Sequence, residues 1–209
     1  MNDTLVYGEA DASVVLIRPT DAHEARETER EYALIRARTA VDFCLTAVVV
    51  EDWNRDLSPW PAPAVFGSEA FGGRAAETLA RVLASCEDPA KTYLVGGYSL
   101  AGLFALWAAG QTDRFAGVAA ASPSVWFPGF TEYLRESGVR ANRVCLSLGD
   151  KEAKTRNPVM ATVADRIRET RDILTERGVA CTLEWNAGGH FREPDLRTAN
   201  AFARVMNGN

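Results

Sequence analysis

The stretch from Tyr93 to Ala109, YLVGGYSLAGLFALWAA, limits what this chain can fold into more than any other. An apolar β-type run, Tyr93-Leu94-Val95, meets Gly96-Gly97-Tyr98-Ser99-Leu100-Ala101-Gly102, and an apolar helical pattern follows from Leu103 through Leu106 to Ala109. A serine at a strand-to-helix corner among small residues is a nucleophile elbow of the G-x-S-x-G type, here with Ala101 at the last glycine position. The smallness is steric. The corner holds Ser99 in strained backbone, and a larger side chain at position 97 or 101 would collide with the neighbouring strand or helix. The bend thrusts the hydroxyl out above a sheet, where the new helix aims its first N–H groups and its positive dipole end. The backbone N–H of Leu100 is therefore a candidate donor to a developing oxyanion.

Around this corner, strand and helix patterns alternate. Thr4 to Tyr7 reads as a short strand, and Val14 to Arg18 as a buried one that Pro19 stops. Asp21-Ala22-His23-Glu24 has the form of a capping box, opening a charged helix to about Arg38 with Tyr32, Leu34 or Ile35, and Ala37 inward. Phe43 to Val50 is apolar nearly throughout, as parallel strands buried on both faces are. The connection 51–67 carries three prolines and two tryptophans, a length that implies service to a site. A helix from Ser68 to about Cys86 precedes the elbow. Strands at Phe115–Ala121, Val144–Leu148 and Ala180–Trp185 follow, separated by a short helix between Gly129 and Ser137 and a longer one from Asn157-Pro158 to Gly178. Pro194 opens a terminal helix bearing Leu196, Ala199, Ala203 and Met206. Such alternation predicts one α/β domain over 1–209, a mostly parallel sheet with helices on both faces. Right-handed crossovers then bring the C-terminal ends of all the parallel strands to one edge, where ligands of open α/β sheets bind.

Composition narrows the partners. With 47% hydrophobic residues, 24% charged and a net charge of −5, the chain can bury a sizeable core and shows no basic cluster for nucleic acid. No apolar run is long enough to span a membrane, and the acidic start MNDTLVYGEADAS lacks the pattern of a secretory leader, so the expected location is the cytoplasm. Cys44, Cys86, Cys145 and Cys181 have no C-x-x-C spacing and read as reduced thiols. Two histidines, His23 and His190, without paired spacing give no metal site, and no cofactor is expected.

A serine hydroxyl needs a base, and the base needs an orienting acid. His190 alone among the histidines follows Ser99, in a Gly188-Gly189 loop between the last strand and the last helix. The turn after Val144–Leu148 offers two carboxylates, Asp150 and Glu152, either able to accept the His190 Nδ1–H bond. Glu152 is preferred because, as third residue after Gly149, it allows the turn to be completed first. Trp53, Trp60, Tyr98 and Trp126 lie on loops of the same edge and are candidate walls for an apolar or aromatic substrate, whereas Phe66 reads as burying its loop. Lys151, Lys154 and Arg156 beside the acid turn can attract an anion but are more simply a solvated face. His23, one turn into a helix, reads as solvent-exposed.

The elements from residue 14 to 206 resemble the α/β-hydrolase superfamily. The runs Gly97-Tyr98-Ser99-Leu100-Ala101-Gly102 and Ala121-Ser122-Pro123-Ser124-Val125-Trp126 are similar to its esterase group containing enterochelin-esterase-like and S-formylglutathione-hydrolase-like enzymes. The resemblance implies a three-layer α/β-hydrolase fold with a minimal N-terminus and no large lid. It implies a serine esterase acting on a small-molecule ester, with Trp126 bordering the pocket; a homodimer is the oligomer considered. It also implies a second oxyanion donor in the loop after the Val14 strand, at Thr20 or Asp21. Acyl transfer, thioester hydrolysis or a catalytically silent binding protein are the alternatives on the same scaffold.

Overall fold

The computed structural model describes residues 4–208. Its sheet is built from β1 (Thr4–Tyr7), β2 (Val14–Asp21), β3 (Phe43–Val50), β6 (Thr92–Tyr98), β7 (Phe115–Ala121), β8 (Arg143–Gly149) and β9 (Ala180–Asn186). A two-residue pair, β4 (Pro61–Ala62) and β5 (Phe71–Gly72), stands apart. The helices are α1 (Thr28–Arg36), α2 (Trp53–Leu57), α3 (Ala75–Ala84), α4 (Leu100–Gln111), α5 (Phe130–Ser137), α6 (Val163–Glu176) and α7 (Pro194–Asn207). The sheet order is β1-β3-β2-β6-β7-β8-β9, with only β1 antiparallel. The chain steps outward from β2 to β3, then returns to the far side of β2 for β6. The crevice between the diverging ends of β2 and β6 is thus the switch point where such sheets bind ligands.

Alternating side chains along the central strands feed two cores. Val15, Ile17, Val48 and Val118 face α3 to α6, while Leu16, Leu45, Leu94 and Ala119 face α1 and α7. Helix α4 is buried from Leu100 to Gly110, which explains its uninterrupted apolar sequence: it has no solvent face.

Four local features depart from expectation. Pro19 does not stop its strand; β2 continues to Asp21, paired with β3 alone after it parts from β6 beyond Ile17. A missing donor is tolerated on that unpaired side. The helix expected from Ser68 begins at Ala75, because Phe71 and Gly72 are drawn into the bridge with Pro61–Ala62. The buried face of α7 is Ala199, Ala201, Phe202, Ala203 and Val205, with Arg197 also buried, while Leu196 and Met206 lie only at its margin. In α1, which follows a 3-10 turn at Glu24–Glu27, Ile35 rather than Leu34 is fully inward and Ala37 is exposed, while Glu31 is buried, its Oε2 3.0 Å from Nε of the buried Arg18. Burial pushes the Glu31 carboxyl up to about 7 against the pull of Arg18.

The β6–α4 corner is close-packed. A Cβ at Gly97 would stand 2.6 Å from the Cβ of Ala101, so the bare position 97 is what makes room for the alanine at 101. Gly97→Ala is expected to destabilise by about 2 kcal/mol in urea unfolding. Ala101→Gly in the same chain should recover at least about 1 kcal/mol of that loss as a coupling energy between the two positions.

Candidate active site

Ser99 follows β6 and caps α4 with φ 56° and ψ −118°, a positive-φ conformation that non-glycine residues adopt only under constraint. The constraint is visible in the bonds around it. Ser99 N–H donates to Ala121 O (3.0 Å), continuing the β6–β7 ladder, while Ser99 O accepts from Leu103 (3.1 Å) and Ser124 (3.1 Å). Leu100 is the first helical residue, so its N–H has no intrahelical acceptor and points with the dipole toward the crevice.

His190 follows β9 in the loop before α7. Its Nε2 lies 3.1 Å from Ser99 Oγ, and its Nδ1 lies 2.7 Å from Glu152 Oε2. Glu152 ends a tight turn after β8, its own N–H donating to Gly149 O (3.1 Å). Its other oxygen, Oε1, accepts from Gly149 N–H (2.7 Å), Ser122 Oγ (2.7 Å) and Arg197 Nη1 (2.9 Å). The side chain is 4% exposed. Burial pushes its carboxyl up, but the His190 bond and charge, the Ser122 hydroxyl and the Gly149 N–H outweigh this and hold it below the ordinary carboxylate value. Gly149 is forced to be glycine by this crowding: a Cβ there would lie 2.3 Å from Gly188 O.

Asp150 turns the other way. It is exposed, and its Oδ1 accepts the Gly188 N–H (2.7 Å), so it fastens the histidine loop without touching the imidazole. Tyr98 lies beside the His190 ring, with centroids 5.2 Å apart, and its hydroxyl donates to His190 O while accepting from Arg197 Nη1 (3.2 Å). Burial raises the Tyr98 phenol, keeping it a donor.

A cleft of about 700 Å³ opens over Ser99 and His190 at the switch point. Trp53, Tyr98 and Trp126 line it, as does Phe66, which is 46% exposed and meets Trp126 edge-on at 6.0 Å. Phe66 was read as loop packing, but the β4–β5 bridge turns it to the cleft. Trp60 is elsewhere: it packs on Phe127 and Tyr133 and donates to Pro128 O (2.9 Å). Asp21 lines the cleft and caps the following turn, accepting from His23 N–H (2.8 Å) and Glu24 N–H (2.7 Å); Thr20 is fully buried in β2, and His23 is exposed. The charged lining is wholly acidic, Asp21, Glu24, Glu51, Asp52 and Glu69, while Lys151, Lys154 and Arg156 lie outside it. Phe191, 93% exposed, stands at the mouth against the His190 ring.

Sequence patterns missed Ser122 and Arg197, the two side chains behind Glu152. A serine at φ 44° and an arginine amid the small and apolar residues of a helix are their faint signals. The four cysteines are free, and burial pushes the thiols of Cys86 and Cys145 to about 11 and Cys181 to about 12. Among the described residues no cluster of three or more His, Cys, Asp or Glu could hold a metal ion, and no helix is long and apolar enough to cross a membrane.

Sheet order, helix layers and an elbow serine at the switch point together define the α/β-hydrolase fold. Among solved structures the chain is similar to an IroE-like serine hydrolase from Shewanella oneidensis, with TM-score 0.75 and 13% identity over 98% of this chain and 75% of that one. It is also similar to siderophore hydrolase EstA from Aspergillus nidulans (0.70, 19%, 99% and 95%). For the enterobactin esterase FES from Shigella flexneri the TM-score is 0.65 at 15% identity, over 98% of this chain and 55% of that one. No protein-family model and no curated protein matches the sequence. At these identities the likeness is one of fold.

A carboxyl held lower in the folded than in the unfolded chain stabilises the fold above the ordinary carboxylate range, and that contribution is lost as pH falls through its folded value. Glu152→Gln, which leaves Arg197 buried without its anion, should therefore cost about 3 kcal/mol at pH 7. Urea midpoints should show a gap to wild type that holds from pH 7 to about pH 5 and narrows below it.

Proposed function

We propose that this protein is a serine hydrolase of small carboxylic esters, working through an acyl-enzyme on Ser99. The observation that carries the proposal is the unbroken line from Glu152 Oε2 to His190 (2.7 Å) and from His190 to Ser99 Oγ (3.1 Å) at the floor of an open cleft. Names of neighbours of the same fold, a serine hydrolase, a siderophore hydrolase and an enterobactin esterase, support the same reaction class.

Ser99 Oγ attacks the ester carbonyl as His190 Nε2 takes its proton, and Glu152 steadies the resulting imidazolium through Nδ1–H. The tetrahedral oxyanion is held by Leu100 N–H and by a second donor from the end of β2, where Asp21, not Thr20, borders the cleft. The imidazolium then protonates the leaving alcohol. Water, activated by His190, releases the acid in a second round of the same steps. No cofactor takes part in this scheme. The aromatic walls favour an aryl or apolar group, and the acidic lining favours a neutral or cationic ester over an anionic one.

A fluorophosphonate probe should label wild type and fail on Ser99→Ala, with His190→Ala reduced by about 10³-fold or more. Labelling that survives loss of Ser99 would refute the scheme. In the same assay, Glu152→Gln should lower turnover far more than Asp150→Asn, since only the first carboxylate meets the ring.

Substrate charge can be read with p-nitrophenyl esters whose acyl chains end in methyl, carboxylate or ammonium. The carboxylate ester should have kcat/KM at least about tenfold below the other two at low salt. A preference for the carboxylate would reject the electrostatic part of this reading.

A further inference from the structure

Behind the Glu152 carboxylate lies a guanidinium for which the reaction scheme has no role. Arg197, 3% exposed in α7, makes five hydrogen bonds to four separate parts of the site. Nη1 donates to Glu152 Oε1 (2.9 Å), to Tyr98 Oη (3.2 Å) at the elbow and to Ser122 Oγ (3.2 Å). Nη2 donates to the carbonyls of Ala187 (3.3 Å) and Gly189 (3.1 Å), on the loop that carries His190. The base sits on a loop and its partner acid on another, and neither loop fixes the other by backbone pairing beyond Asp150–Asn186 and Lys151–Gly188.

We propose that Arg197 is a positioning residue for the Ser99–His190 chemistry, a planar clamp that fastens the histidine loop, the acid turn and the elbow to one another. The inference rests on the reading of Ser99, His190 and Glu152 given above. A guanidinium suits the task because its donors lie in one plane and diverge along two edges. One edge meets the carboxylate and hydroxyls, and the other meets the two loop carbonyls. Fixing the Glu152 oxygen that His190 does not use leaves Oε2 free to face Nδ1. Gripping Ala187 and Gly189 sets the height of the ring over Ser99. A misplacement of about 1 Å in such geometry is worth about 100-fold in rate. A lysine keeps the charge but cannot span both edges.

The test compares Arg197→Met and Arg197→Lys with wild type for kcat and KM on p-nitrophenyl acetate. Alongside, the downfield proton resonance of His190 Nδ1–H is followed by NMR, with circular dichroism as the check on folding. In the methionine variant kcat should fall about 100-fold while KM stays within about threefold, and the downfield resonance should broaden or move. Lysine should recover about tenfold of that loss and keep a weakened resonance. A folded methionine variant with wild-type kcat and an unchanged resonance would overturn the proposal. If methionine prevents folding, the lysine variant decides alone: a drop of about tenfold in kcat supports the clamp, and wild-type kcat and resonance overturn it. The resonance reports on the clamp whether or not an ester is turned over. Failure of the wild type to react with a fluorophosphonate would reject the hydrolase reading, whereas an unchanged resonance in a folded variant of a reactive enzyme would reject the clamp alone.

Discussion

A carboxylate taken out of water must have its lone pairs answered, or it will not stay ionised. Glu152 meets this demand with donors from four places in the chain: its own turn at Gly149, the end of β7 at Ser122, the loop histidine, and Arg197 on α7. Each donor is anchored by something else. Ser122 sits at a positive φ just past β7, and Arg197 is held in register by the apolar face of α7 against the sheet. The geometry of the cleft floor therefore follows from satisfying one buried charge. Removing any single donor leaves the others in place, so the cost is graded, not total.

The sheet supplies the other half of the arrangement. Because β2 and β3 run one way from the switch point and β6 to β9 the other, their loops diverge and leave a crevice without any inserted domain. Between β7 and β8 only the eight-residue α5 intervenes, so nothing arches over Ser99 from that side. The wall opposite is made by the segment between β3 and α3. There the short β4–β5 pairing lifts Phe66 toward the cleft and folds Trp60 back onto Phe127.

Much of this was legible in the sequence. The apolar runs that became β2, β3 and β6 to β9, the corner at Ser99, the isolation of His190 and the turn arithmetic favouring Glu152 all depend on local spacing. What local spacing cannot report is a partner far along the chain. Ser68 looked like a helix start because nothing nearby says that Phe71 will pair with Ala62. Pro19 looked like a stop because the sequence does not tell which side of β2 loses its neighbour. Arg197 was hidden for the same reason: its partners stand up to 99 residues away, and its helix otherwise reads as an ordinary amphipathic one. Nothing in the local pattern of α1 marks Glu31 as buried, because its partner Arg18 lies on β2.

The placement of Arg197 on α7 bears on how the molecule comes into being during synthesis. Strand β6, the elbow and α4 emerge from a ribosome well before α7, and domains assemble as their segments become available. A nascent chain that has Ser99 and even Glu152 outside the exit tunnel still lacks both His190 and the guanidinium of Arg197. The line from Glu152 through His190 to Ser99, with Arg197 behind it, is complete only once α7 has docked on β6, β7 and β8. A half-made chain therefore presents the Ser99 corner without the imidazole that faces it in the finished fold.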